Sequence, residues 1–422
     1  MTLDLNWIRE QFPSLAQEVN GQPAIFFDAP GGTQVPRRTI DAIANYLLTS
    51  NSNLHGAFAT SARTDALVLE ARRAIADFLN SNPDEIVFGA NMTTLAFSVS
   101  RAIARTLKPK DEIVVTSIDH DANVAPWLAL SEQGVIVHTV RVHREDCTLD
   151  LEEFEQKITA RTKLVAIGSA SNAVGTINDV KSVVKLAQNV GAWTFVDAVH
   201  YAPHGVIDVQ DLDCDFLACS AYKFFAPHLG ILYAKRQHLE QLHPYKVRPA
   251  SEEVPSRWET GTQSFESLAG LVATIHYLAE LGTRINPAIN DRKTALRTAM
   301  ETIRVEERSL SQKLISGLLE IPGIKIYGIT DPTRFDQRTP TVGLRMEGHS
   351  PSELAKLLGD RGIFTWNGNF YALNLTQSLG VESSGGFLRI GLAHYNTPEE
   401  ISTLITTLHS LQRNQVGIEF CK

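Results

Sequence analysis

Four hundred and twenty-two residues exceed one ordinary core and leave room for two or three domains, and 43% hydrophobic with 20% charged residues is the composition of a globular chain rather than a disordered one. Thirty-nine Lys and Arg against 47 Asp and Glu give a net charge of -8 with no basic block, which excludes nucleic acid as the main partner. The four cysteines, Cys147, Cys214, Cys219 and Cys421, lack C-x-x-C spacing, so neither a disulfide framework nor a thiolate zinc site is indicated. Met1 to Pro13 lacks the order of a secretory signal, and no apolar run approaches the roughly 18 residues of a membrane span. A cytoplasmic chain without membrane contact is expected.

From residue 37 to 240, short apolar runs alternate with longer helical patterns. Strands are predicted at Glu85 to Phe88, Glu112 to Thr116, Leu164 to Ile167, Trp193 to Val196 and Phe216 to Cys219, with amphipathic stretches such as Asp179 to Val190 between them. This alternation predicts a mainly parallel sheet covered by helices. After a loop-like segment from Pro244 to Pro255, a helical stretch from Glu266 to Leu319 leads into a second αβ unit starting at Ile321. The plan expected is a large domain over 21–265 and a smaller one over 266–422, with residues 1–20 packing on the latter.

Ligands of open α/β sheets bind at the carboxyl ends of the strands. Those ends carry Asn91, Thr93 and Thr94; Asp119 and His120; Ser171 and Asn172; Asp197 and His200; and Ser220, Tyr222 and Lys223. A carboxylate ending one buried strand, with a lysine after another strand 26 positions later, is what pyridoxal phosphate requires. The lysine amine forms the Schiff base and the carboxylate keeps the pyridine nitrogen protonated. Gly89 to Thr94, opening the next helix, is the expected phosphate site.

Rival motifs fail on spacing. No two glycines stand two apart, so G-x-G-x-x-G is absent, and neither the P-loop nor G-x-S-x-G occurs. Taken singly, each residue has an ordinary role: Asp197 as a turn cap, Lys223 as a surface amine, Thr93 and Thr94 as a helix N-cap. Pro203 between His200 and His204 speaks against a helical metal pair, and no metal is expected. It is the convergence of five strand ends that points to a site.

At these residues the chain resembles the class V aminotransferase family of pyridoxal phosphate enzymes, most closely its cysteine desulfurase-like members. The pieces that carry the resemblance are Phe27 to Gly32, Asp119 to Asn123, Ser171 to Thr176, Val196 to His200, Ser220 to Lys223 and Gly261-Thr262, in family order. The resemblance implies fold type I, as in aspartate aminotransferase: a large domain with a mainly parallel sheet and a smaller α/β C-terminal domain. It implies Lys223 as the cofactor lysine and acid/base, Asp197 as partner of the pyridine nitrogen, and His120 as the ring-stacking histidine. Asn172 falls near the ring hydroxyl and the substrate, and His200 replaces a residue, often Gln, that reaches the same hydroxyl. Thr93, Thr94, Ser220 and Tyr222 match the phosphate side. Thr262 matches a contact supplied by the neighbouring subunit, which implies a homodimer with shared sites. Arg389 matches the arginine for the substrate carboxylate, and His55 lies in a segment on the substrate side.

What the resemblance implies for activity is action on an α-amino acid through an external aldimine, with desulfurase-like chemistry on cysteine or a related sulfur amino acid and a sulfur-acceptor protein as a further partner. One departure is informative. The desulfurase loop cysteine is missing from Arg361 to Asn369, and no cysteine lies between Cys219 and Cys421. A C–S β-lyase, an aminotransferase or an epimerase needs no such cysteine, and a non-catalytic cofactor-binding protein is the reading from another class. Trp366, Asn367 and Phe370 are expected to line the side-chain pocket.

Overall fold

Ile113-Val114-Val115 and Leu164 to Ile167 are apolar at every position rather than at every second one, as strands covered on both faces require. The computed structural model describes residues 3–419, with side chains through 412, and both runs are fully buried central strands. The sheet has seven strands: β1 (Ile86–Gly89), β2 (Glu112–Thr116), β3 (Ile136–Val140), β4 (Thr162–Gly168), β5 (Trp193–Asp197), β6 (Phe216–Ser220) and β7 (Gly230–Ala234). Their order is β1-β7-β6-β5-β4-β2-β3. All run parallel except β7, which pairs antiparallel with both β1 and β6.

Successive residues of a strand point to opposite faces, and two cores follow from that alternation. Val114, Val165, Ile167, Val196 and Leu217 face one cluster, whereas Ile113, Val115, Leu164, Ala166, Phe195 and Phe216 face the other. The chain moves outward from β2 to β3 and then returns to place β4 on the other side of β2. This reversal opens a crevice at the carboxyl ends of β2 and β4, where such sheets bind ligands.

The helices that matter to the site are α1 (Leu5–Gln11), α2 (Met92–Ala104), α3 (Val180–Asn189), α4 (Phe265–Ile285), α5 (Arg292–Leu319) and α6 (Pro398–Glu419). The N-cap Asp179 of α3 accepts from Ser182 N–H at 3.1 Å, which starts the amphipathic helix where the sequence pattern begins. The predicted helical stretch from Glu266 to Leu319 is two helices, α4 and α5, interrupted over 286–291. They pack so closely that a Cβ on Gly282 would overlap the Ala295 carbonyl.

A second, antiparallel sheet contains β8 (Ile324–Tyr327), β9 (Thr341–Met346), β10 (Trp366–Gly368) and β11 (Phe387–Gly391), in the order β8-β9-β11-β10. It shares a core with Leu314, Ile315 and Leu318 of α5 and Leu404 and Leu408 of α6. The amino-terminal segment touches both units. Phe12 packs against Phe225 of the large unit and against Tyr277 and Tyr395 of the smaller one, and Arg9 donates to the Tyr395 carbonyl at 2.7 Å and to Glu400 at 2.8 Å. Among the described residues, no helix is long and apolar enough to cross a membrane.

Candidate active site

The crevice is a cavity of about 270 Å³ whose lining includes Lys223, Asp197, His120, Asn172, His200 and Arg389. Lys223 stands on the tight turn Ala221–Lys223 immediately after β6. Its Nζ donates to the carbonyls of Pro30 at 2.5 Å and Gly31 at 3.1 Å, and lies 4.7 Å from the Tyr222 ring centroid. Burial, helped by the like charge of Arg389, lowers the amine to about 7. Asp197 ends β5, accepts from Val199 N–H at 2.8 Å and is pushed up to about 6 by burial.

His120 lies beyond the end of β2. Its Nδ1 accepts from Ala122 N–H at 3.0 Å, so the neutral ring carries its proton on Nε2. Burial, reinforced by Lys223 and Arg389, lowers this histidine to about 4, so the neutral form prevails. The Tyr371 ring stacks on it at 5.2 Å and 29°. Arg389, on β11, reaches the cavity from the second sheet. Its Nη1 donates to the Asn172 carbonyl at 2.9 Å, and its guanidinium lies 3.9 Å from the Phe370 ring centroid. Burial lowers Arg389 to about 9, with Asp28 opposing the shift, and burial raises Asp28 itself to about 6.

The expected phosphate side is divided. Met92 N–H, at the start of α2, donates to Ser220 Oγ at 3.1 Å, and Thr93, Ser220 and Tyr222 line the cavity. Thr94 does not line it: both its N–H and its hydroxyl donate to the N-cap Asn91, at 2.8 and 2.9 Å. Thr94 and Thr262 line a neighbouring cleft together with Glu259 and His228. The Tyr222 ring, which lines the cavity, stacks at 4.7 Å on His228, which lines the cleft.

Three further positions complete the placement. His55 is not in the cavity: its side chain is 84% exposed and lies 3.3 Å from Asp65. His200 does line it, with Nε2 3.2 Å from Thr339 Oγ1. Its neighbour His204 is turned away onto Glu307 at 2.8 Å. Trp366 and Phe370 are in the lining, and Asn367 is not. Among the described residues, no group of three or more His, Cys, Asp or Glu is placed to hold a metal ion.

The aminotransferase class-V model matches residues 25–299 and 294–404, which is nearly the whole chain. The chain belongs to the aminotransferase class-V family. A cysteine desulfurase of Synechococcus elongatus is 30% identical over 431 residues, covering 98% of this chain and 65% of that protein's length. An aminotransferase-like protein of Gibberella zeae is 32% identical over 413 residues, covering 95% of this chain and 96% of the other. The apo structure of a cysteine desulfurase from Thermococcus onnurineus is similar at a TM-score of 0.86 and 28% identity, over 98% of this chain and 99% of that one. The architecture is accordingly fold type I of the pyridoxal-phosphate-dependent class V enzymes.

The residues present fit pyridoxal phosphate. The cavity offers an amine that burial makes easy to deprotonate, a carboxylate at a strand end, and the hydroxyls of Ser220 and Thr93. Two buried polar atoms, Asn172 Oδ1 and Arg389 Nε, have no protein partner, as expected of groups reserved for a ligand.

The described cysteines lie away from the cavity. Cys147, Cys214 and Cys219 are free and buried, and none lines the cavity. Burial pushes the thiols of Cys147 and Cys214 up to about 12, and that of Cys219 higher still. Cys421 lies outside the described residues. Asp119, expected at the end of β2, lines the cavity, and so does Tyr371, which no local sequence pattern marks.

Proposed function

We propose that this chain binds pyridoxal phosphate on Lys223 and acts on an α-amino acid, cleaving the Cβ–S bond of cysteine or a related sulfur amino acid. The observation that carries the reading is the convergence of Lys223, Asp197, His120 and Arg389 on one cavity. When bound, the cofactor supplies an electron sink for charge that develops at the substrate α-carbon. Asp197 holds the proton on the pyridine nitrogen, and Ser220 and Thr93, with the start of α2, hold the phosphate. Arg389, braced by the Asn172 carbonyl and the Phe370 ring, grips the substrate carboxylate through its free guanidinium edge. Lys223 Nζ, an amine that burial makes easier to deprotonate, takes the α-proton and returns it. His120, neutral with Nε2–H, donates toward the departing or arriving group.

Two outcomes share these steps. In desulfuration, cysteine and an external acceptor thiol give alanine and a persulfide. In β-elimination, a cysteine thioether and water give a thiol, pyruvate and ammonia. The absence of any described cysteine from the cavity lining favours the second. A homodimer, in which Thr262 of each subunit serves the other's site, completes the proposal. Its support is that Thr262 sits outside its own chain's cavity.

The test is product analysis of the reconstituted protein given L-cysteine or L-cystine, with alanine and pyruvate quantified together and Lys223→Ala as control. Alanine supports desulfuration and pyruvate supports elimination. Turnover unchanged in Lys223→Ala, or neither product from any sulfur amino acid, refutes the proposal. Mixing Lys223→Ala with Thr262→Ala subunits tests the dimer, since recovered activity requires shared sites.

A further inference from the structure

One wall of the cavity is made by two residues with an unusual backbone. Phe370 and Tyr371 both adopt left-handed conformations, at φ 55° and 59°, which bulky L-residues hold only when their surroundings impose it. Here the surroundings do. Asn172 Nδ2 donates to the Phe370 carbonyl at 2.8 Å, and Asp121 N–H donates to the Tyr371 carbonyl at 2.7 Å. Tyr371 N–H donates to Asn369 Oδ1 at 3.0 Å, and Asn369 Nδ2 in turn donates to Glu382 at 3.0 Å. Both anchoring groups on the far side, Asn172 and Asp121, adjoin or belong to the site itself.

The constraint sets the two rings in place. Phe370 faces the Arg389 guanidinium and Tyr371 covers the His120 ring. Tyr371 remains 71% exposed, and Trp366, 51% exposed, continues the aromatic surface at the same opening. Large apolar surface left open at the mouth of a polar cavity marks a place that a ligand covers. A substrate whose carboxylate is on Arg389 and whose α-carbon is served by Lys223 and His120 directs its side chain along these rings.

We infer that Phe370 and Tyr371 are the specificity-determining pair of this site, and that they select an α-amino acid with a bulky apolar or aromatic substituent, such as an S-benzyl or S-aryl cysteine, over free cysteine. The inference rests on the proposed function for the position of the carboxylate and the C–S bond. Aromatic faces stabilise a second ring by stacking and dispersion and offer little to a small thiol.

The test separates recognition from chemistry. Two probes without an amino group, 3-(benzylthio)propanoate and 3-mercaptopropanoate, are titrated by calorimetry into the protein reconstituted with pyridoxal phosphate. The benzyl probe is expected to bind about tenfold or more tighter. The ratio is expected to fall to about twofold or less in Phe370→Ala and Tyr371→Ala and to persist in Tyr371→Phe, which keeps the ring. Both probes carry the same carboxylate, so a weakened Arg389 or a partly misfolded variant lowers both affinities and leaves the ratio alone. Equal binding of the two probes by the unmutated protein, or a ratio unchanged in both alanine variants, overturns the inference. A benzyl preference without any pyruvate or alanine from S-benzyl-L-cysteine or cysteine upholds the inference and refutes C–S cleavage instead.

Discussion

Asp119 and Asp197 flank the same backbone unit: Gly168 N–H donates to both carboxylate oxygens of Asp119, at 2.9 and 3.0 Å, and Gly168 pairs in register with Asp197 across the sheet. Two buried carboxyls held this close resist ionising together. Burial first, and the charge of Asp197 second, push Asp119 up to about 7, whereas burial alone raises Asp197 to about 6. Asp119 is raised further than Asp197, and this asymmetry favours the charge on Asp197, where the proposed cofactor needs it.

The pair makes Asp119→Asn and Asp119→Ala behave differently. An asparagine with its oxygen at the Oδ2 position keeps both contacts of the protonated acid, accepting from Gly168 N–H and from Asn123 Nδ2 as Asp119 does at 3.0 and 2.8 Å. Alanine strands Gly168 N–H and Asn123 Nδ2, at a cost of about 2–4 kcal/mol. The sign with pH follows from the raised folded value. Asp119 supports the fold fully below its ordinary 3.8, and that support is lost as pH rises to about 7. Denaturant unfolding of the apoprotein should show Asp119→Asn gaining on the unmutated chain between pH 5 and pH 8, by about 1 kcal/mol or more. A pH-independent difference would show that Asp119 is not the titrating member.

Lys223 sets a second pH dependence. Its amine, lowered to about 7 by burial, is protonated below that value and nucleophilic above it. Incubation with pyridoxal phosphate followed by borohydride should leave a pyridoxyl label on the peptide carrying Lys223. The initial labelling rate should fall about tenfold per pH unit below pH 7 and flatten above it. A rate still climbing steeply at pH 9 would place the amine near its ordinary value and remove the argument from burial.

Arg389 is held at two points before any ligand arrives, by the Asn172 carbonyl and by the Phe370 ring, while its Nε has no partner. A pre-oriented fork loses little freedom on meeting a carboxylate. Arg389→Ala is expected to raise KM about 100-fold or more with a smaller effect on kcat, because the contact serves ground and transition states alike. Arg389→Lys should recover only part of it, since an ammonium cannot make the bidentate contact. An unchanged KM for every substrate amino acid would mean that the carboxylate is bound elsewhere.

The parts of this molecule that were legible in the sequence are those in which chemistry and periodicity coincide. β2, β4, β5 and β6 are apolar runs that end in the polar residues of the site, so each strand marked its own function. β3 and β7 escaped. β3 is an edge strand whose residues are half exposed apart from Val140, and β7 runs antiparallel to its neighbours, so the polar residues that follow it, Lys235 and Arg236, lie away from the crevice. The site residues near strand ends were legible for the same reason. His55 and Thr262 reached the site only through resemblance, and the single chain does not bring them to the cavity. Tyr371 was invisible because its role depends on a left-handed backbone that hydrogen bonds from Asn172 and Asp121 support, and no local pattern announces a constraint imposed from so far along the chain.

The segment carrying Thr262 depends on a buried ion pair. Arg72, on the helix Ala59–Leu79, donates to both oxygens of Glu259, at 2.8 and 2.7 Å, and also to the Ile86 carbonyl at 2.5 Å. Phe88 N–H, on β1, donates to the same carboxylate at 2.8 Å. Both side chains are buried, so removing one member leaves an uncompensated charge in the interior. Glu259→Leu and Arg72→Met are each expected to cost about 3–5 kcal/mol, and the double variant less than either single one. Phe88 N–H and the Ile86 carbonyl still lose their partners in the double variant, which sets a residual cost of about 1–3 kcal/mol. Urea unfolding of the four proteins gives the coupling directly. Additive losses would show that the pair contributes through packing and that the position of Thr262 does not depend on its charges.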